Sequence, residues 1–227
     1  MNMFLRWAFL SGFARALKYQ CKWAPNTKEL EQTMATLPGA KHMPGTDRQA
    51  QFNLLLAQSL QAAVQIFQGR GYGRARSVEM ARAAFLENGS GLTRAMFAWW
   101  LRVTPDPVAQ MKARRDLADR ARALWGEGMK VDEVHGDQTV ALHVTSCPFA
   151  EYFWGVCEPD LTAVLCAYDA QWMAQVNMSP RPVRVSRSGT LAAGADHCDF
   201  TFKSAAKQTA RAPKARQRGI LGHICGG

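Results

Sequence analysis

A chain of 227 residues, 48% apolar and 20% charged, is long enough for one sizeable core and is too apolar for the disordered class. Its formal net charge of +10 does not by itself indicate a nucleic-acid binder, because from Phe200 onward there are six Lys or Arg and no Asp or Glu, which leaves a body of only +4. Arg6, Arg15 and Lys18 interrupt the apolar opening, so no run reaches the roughly 18 to 20 residues of a membrane span, and six cysteines without a cleavable apolar leader favour reduced thiols in the cytoplasm.

In chain order, residues 1–36 read as an apolar and basic N-terminal helix, with Phe4, Leu5, Trp7, Phe9, Leu10, Phe13 and Leu17 and no acid before Glu29. Such a helix either docks on its own domain or a partner subunit, or makes peripheral contact with a membrane through residues 1–20. Leu37 to Asp47 is turn-rich and reads as a hinge or linker. Gln51 to Gln68 repeats apolar residues at three and four, which predicts a helix with one buried stripe. The glycines of residues 69–74 follow a helix rather than a strand, so they predict a helix-to-helix turn and not a phosphate loop. Two further helices are expected, one from Ser77 to about Asn88 and one from Leu92 to Arg102, separated by Asn88-Gly-Ser-Gly91. Met96, Phe97, Trp99 and Trp100 are expected to pack in the core. Pro105 and Pro107 precede a helix over Val108 to Trp125.

After Gly126 and Gly128 the apolar period changes to two, and sheet begins. Met129 to His135 and Thr139 to Ser146 read as a hairpin across Gly136-Asp137. Helices follow over Cys147 to Trp154 and Leu161 to Gln175, then strands over Val183 to Ser188 and His197 to Lys203. The predicted fold class is α+β: N-terminal helices followed by a four-stranded antiparallel sheet, with two inserted helices covering one face. A single domain is placed at 48–203, helical over 48–126 and sheet-containing over 129–203, and residues 204–227 form a basic flexible tail.

Three cysteines carry candidate chemistry. Cys147 stands at a strand-to-helix junction before Pro148, where helix amides favour thiolate. Cys166 and Asp169, three apart on one helix, share a face and can act on one ligand. Cys198 is sent by strand alternation to the face opposite His197 and Asp199, together with Phe200 and Phe202. Arg187 on the preceding strand can clamp a carboxylate. For Cys147 and Cys166, burial as structural cysteines is the competing reading, and for Arg187 a surface position. His223 and Cys225 are too few to hold a metal.

The pattern R-x-x-T-L-x-x-G-x-x-x-C-D-F (Arg187, Thr190, Leu191, Gly194, Cys198, Asp199, Phe200), with VTSCPFAEYF and LCAYD upstream, resembles the L-2-amino-thiazoline-4-carboxylic acid hydrolase family over roughly residues 139–203. The resemblance implies an enzyme that hydrolyses a cyclic carbon-nitrogen bond in a small amidine-like heterocycle, with no cofactor. It joins Cys147 or Cys166 as nucleophile, Asp169 as proton acceptor and orienter, Arg187, Thr190 and His197 as substrate-binding residues, and Cys198 as a third wall. Two other readings stand beside it. The cysteines could ligate zinc or iron, or the domain could be a non-catalytic small-molecule-binding module. No specific nucleic-acid partner is expected, and a homodimer is as compatible with the apolar stretches as a monomer.

Overall fold

In the computed structural model, which describes residues 3–21 and 23–205, eight α-helices and a four-stranded sheet follow one another as helices, hairpin, two helices and two strands. The predicted basic tail, with His223 and Cys225, lies almost wholly outside the described residues. The fold is α+β, as expected, with the strands in the order β1 (Lys130–His135), β2 (Thr139–Ser146), β4 (Cys198–Ser204), β3 (Val183–Arg187), all antiparallel.

The first half is a bundle around α3 (Arg48–Gly69), whose N-terminus is capped by Asp47 accepting from the Ala50 amide at 2.6 Å. The opening segment is two helices rather than one, α1 (Met3–Gln20) and α2 (Thr27–Thr36). Asn26 caps α2 by accepting from the Glu29 amide, which starts a new helix where Pro25 would break the old one. Leu10, Phe13 and Leu17 seat α1 in the same core as Leu60, Val64 and Phe67 of α3. The hinge expected at residues 37–47 is instead packed: it contains a 3-10 turn, Gly39–His42, that contacts the helix after β2, and Met43 is buried.

Two predicted helix boundaries are wrong, in opposite directions. The helices expected on either side of Asn88-Gly-Ser-Gly91 are one helix, α4 (Arg74–Val103). Gly89 is there for contact: a Cβ on it would lie 2.6 Å from the Tyr168 ring, and the Tyr168 hydroxyl donates to the Gly89 carbonyl at 2.6 Å. Absence of a side chain lets two helices touch without breaking either. Conversely the helix expected over Val108 to Trp125 is two, α5 (Pro107–Ala113) and α6 (Leu117–Trp125). Glu133 on β1 accepts from the Leu117 and Ala118 amides and so starts α6 afresh. The aromatic cluster also divides. Phe97 and Trp100 pack beneath the sheet, whereas Met96 and Trp99 are exposed.

The inner face of the sheet carries Val131, Val140, Val144, Cys198 and Phe202. Of the two inserted helices, α8 (Asp160–Met178) lies on this face against β3, with α5 and α6 beside it, while α7 (Pro148–Gly155) turns into the bundle against α3 and α8. Asn177 fastens α8 to β3: its side chain accepts from the Val185 amide at 2.8 Å and donates to the Val185 carbonyl at 2.9 Å. That latch sets the side chains of α8 next to Arg187 at the end of β3.

Candidate active site

Between α8 and the loop joining β3 to β4 lies a cleft of about 250 Å³ lined by Cys166, Arg187 and Thr190, with Ala163, Ala167, Ala192 and Ala193 supplying the space. The alanines of α8 are four apart, so they leave a groove along one helix face rather than isolated gaps.

The loop is built by the motif itself. Thr190 accepts from the Ala193 amide and starts a 3-10 turn, Leu191–Ala193, which Gly194 ends with φ +84°, a conformation that favours glycine. Leu191 packs with Val131, Val144 and Cys198. The Cys198 sulfur accepts from the Leu191 amide at 3.3 Å, tying the cleft rim to the sheet. On the other side of the strand, Asp199 accepts from Ser188 at 2.7 Å and from Thr201 at 2.6 Å. These hydroxyls, with the neighbouring imidazoles of His143 and His197, hold its carboxyl below the usual range although burial opposes them.

Arg187 donates to Asp169 at 2.9 Å and to the Cys166 carbonyl at 3.3 Å, and its guanidinium lies 5.5 Å from the Phe200 ring centre. The second Asp169 oxygen accepts from the Trp172 indole at 3.1 Å. Trp172 is itself fixed by stacking on Phe97, Phe200 and Phe202, with centroids 4.9, 5.8 and 6.1 Å away. The sequence places Trp172 only within the helix expected over Leu161 to Gln175. The signal for more was its spacing, since Cys166, Asp169 and Trp172 recur every three residues on α8.

Burial dominates the electrostatics. It pushes the Asp169 carboxyl up to about 6, even with Trp172 and Arg187 pulling down. Burial also pushes Cys166 up to about 12, helped by the Asp169 charge and opposed by Arg187. Cys147 caps α7 as expected, but the thiolate expected from that position is overturned. Desolvation between the bundle core and the sheet core raises it to about 11 and outweighs the Phe149 and Ala150 amides. Cys198 is raised as well, again by burial first. Cys147, Cys166 and Cys198 each feel the Asp169 charge, so the three thiols share one neighbourhood, of which Cys166 lines the cleft. Among the described residues no three His, Cys, Asp or Glu side chains are grouped to hold a metal ion.

Of the residues singled out in the sequence, Cys166, Arg187 and Thr190 line the cleft. Asp169 stands behind Arg187 and Cys198 behind the rim. His197 does not join them: it lies in the bend just before β4, on the outer side, where its ring lies 4.2 Å from that of His143. Exposed Cys157 is outside the site. At pH 8, iodoacetamide is therefore expected to modify Cys157 at least about tenfold faster than Cys147 and Cys166, as read by peptide mass spectrometry. Comparable rates would mean that the buried thiols are ionised.

Fold and site together define an α+β protein with a thiol-lined cleft and a guanidinium at its wall. The chain belongs to the L-2-amino-thiazoline-4-carboxylic acid hydrolase family, whose model matches residues 52–202, well over half of it and including the helices from α3 on. None of the curated proteins matches the chain in sequence. Among solved structures, the chain is similar to the Fe(II) unliganded H-NOX protein from K. algicida at 9% identity and a TM-score of 0.38, covering 92% of this chain and 98% of that one. A mutant of that protein matches at 8% identity and a TM-score of 0.35, covering 88% and 97%. At such TM-scores the likeness carries no argument. No helix among the described residues is long and apolar enough to cross a membrane.

Proposed function

We infer that the protein is a hydrolase that opens a small, carboxylate-bearing cyclic amidine of the 2-amino-thiazoline type, with Cys166 as nucleophile. The observation that carries this reading is the shared cleft: of the three neighbouring thiols, Cys166 lines it, and Arg187 and Thr190 line it with Cys166. Arg187 receives the substrate carboxylate. Asp169, whose two oxygens are taken by Trp172 and Arg187, acts through Arg187 as a positioning residue.

The proton balance follows from the shifts. Burial raises Cys166 far above Asp169, so passing the Cys166 proton to Asp169 is strongly uphill. A neutral amidine nitrogen is a stronger base than a carboxylate and takes the proton at lower cost. Proton transfer from sulfur to the ring nitrogen makes the amidine carbon electrophilic as it makes the thiolate. The sulfur-carbon bond forms, the ring carbon-nitrogen bond breaks with the protonated nitrogen leaving as amine, and water then releases the carbon from sulfur.

Incubating purified protein with L-2-amino-thiazoline-4-carboxylate tests this directly. A product with a new free amine supports the reading. A new free thiol would move cleavage to the ring carbon-sulfur bond, no product would remove this substrate, and near-stoichiometric zinc or iron in the protein purified without added metal would replace the thiol mechanism.

A further inference from the structure

Helix α1 has more apolar surface than docking requires. Its buried stripe is Leu10, Phe13, Ala14 and Leu17. Away from that stripe, Phe4, Trp7, Arg15 and Lys18 return to a second line at helical spacing. All four are exposed, Phe4 by 67% and Trp7 by 61%, and Met3 extends the line at 84%. An amphipathic helix whose only task is to pack on its domain keeps its outer face polar. Here the outer face pairs large aromatic rings with cations, and the sequence has no acid before Glu29.

A second observation lies on another side of the same helix. Arg6, between Leu5 and Trp7, lines a cleft of about 510 Å³ whose apolar walls are Met34, Leu37, Pro38 and Leu54. Glu31 pairs with Arg6 there at 3.2 Å, and Lys41 supplies a further positive charge. Cations beside apolar walls suit an anionic headgroup with hydrocarbon below it.

Charge selects the occupant. Two copies meeting through this face in parallel would bring Arg15 and Lys18 of each together, and in antiparallel would set them over the other copy's rings, in neither case with a carboxylate on α1 to pair them. An anionic bilayer satisfies both halves of the face, rings at the headgroup boundary and cations on phosphate. We propose that this face of α1 docks the protein on an anionic phospholipid surface, with Phe4 and Trp7 entering the headgroup boundary and Arg15 and Lys18 against the phosphates.

The test is flotation of the full chain with vesicles of phosphatidylcholine, alone or mixed with phosphatidylglycerol. Retention is expected on the mixed vesicles only, weakening with salt. The double variant Phe4→Glu/Trp7→Glu should lower it by about tenfold or more, and Arg15→Glu/Lys18→Glu severalfold. Val134→Glu, at another exposed apolar position, on the sheet, should leave it unchanged. All these positions are exposed, and unchanged thermal melts would establish that the variants fold. Three results would overturn the proposal. Phe4→Glu/Trp7→Glu could float like the parent. Retention could disappear only when Lys207, Arg211, Lys214, Arg216 and Arg218 are neutralised, making the basic tail responsible. Or the parent could form a lipid-independent dimer that Trp7→Glu dissociates, making a second copy the occupant.

Discussion

Cys166→Ala is expected to remove ring opening, lowering kcat by about three orders of magnitude or more while substrate still binds. The side chain that changes lines the cleft, but the groups that hold the carboxylate, Arg187 and Thr190, stay where they are. KM should therefore move little, and equilibrium binding of the substrate to the variant measures that separately. Cys198→Ala has a different signature. It loses the sulfur that accepts from the Leu191 amide, so the rim that carries Thr190 loosens, and KM should rise more than kcat falls. Cys147→Ala removes a thiol held between two cores and is expected to lower stability by about 1 kcal/mol, with turnover largely retained. Loss of turnover in Cys147→Ala with retention in Cys166→Ala would transfer the nucleophile to the cap of α7.

Much of this site could be read in the sequence because its parts are close in the chain. The strand alternation that sends Cys198 inward and Asp199 outward needs only the period of two, and it holds in the structure, while His197, just before the strand, also lies outward beside His143. That outward side is why His197 could not bind in the cleft alongside Cys198, an inconsistency already visible in the residue spacing. Cys166 and Asp169 share a helix face for an equally local reason. The thiol pKa values could not be read this way. A helix N-terminus is a local feature that argues for thiolate at Cys147, whereas the desolvation that overrides it comes from the two cores it lies between, brought together only by the fold. Gly89 was misread for the same kind of reason. In sequence it is a break between helices, and only Tyr168, 79 residues away, shows it to be a contact. Glu133 likewise divides α5 from α6 from across a strand.

Arg187→Ala is expected to cost about 2 to 3 kcal/mol of folding stability at pH 8, because it leaves the largely buried Asp169 carboxylate without its cation about two pH units above the parent value. The pH dependence identifies the cause. The folded-state carboxyl is already raised, to about 6 from 3.8, so the parent protein binds more protons folded than unfolded between those values, and this group's contribution to stability falls as pH rises through that window. Removing Arg187 raises the folded value further, so the added cost grows with pH above about 6. At pH 5 the parent Asp169 is mostly neutral and gains little from Arg187, so most of the cost should vanish there. Urea unfolding of both proteins at pH 5 and pH 8 reads the difference. A cost equal at both values would mean that Arg187 stabilises by packing on Phe200 and bonding the Cys166 carbonyl, not by pairing with Asp169. The double variant Arg187→Ala/Asp169→Asn should recover much of the loss at pH 8, since it removes the stranded charge, but it should not recover substrate binding. Stability and binding would thereby separate the two roles of one guanidinium: it neutralises the carboxylate behind it and receives the substrate carboxylate in front.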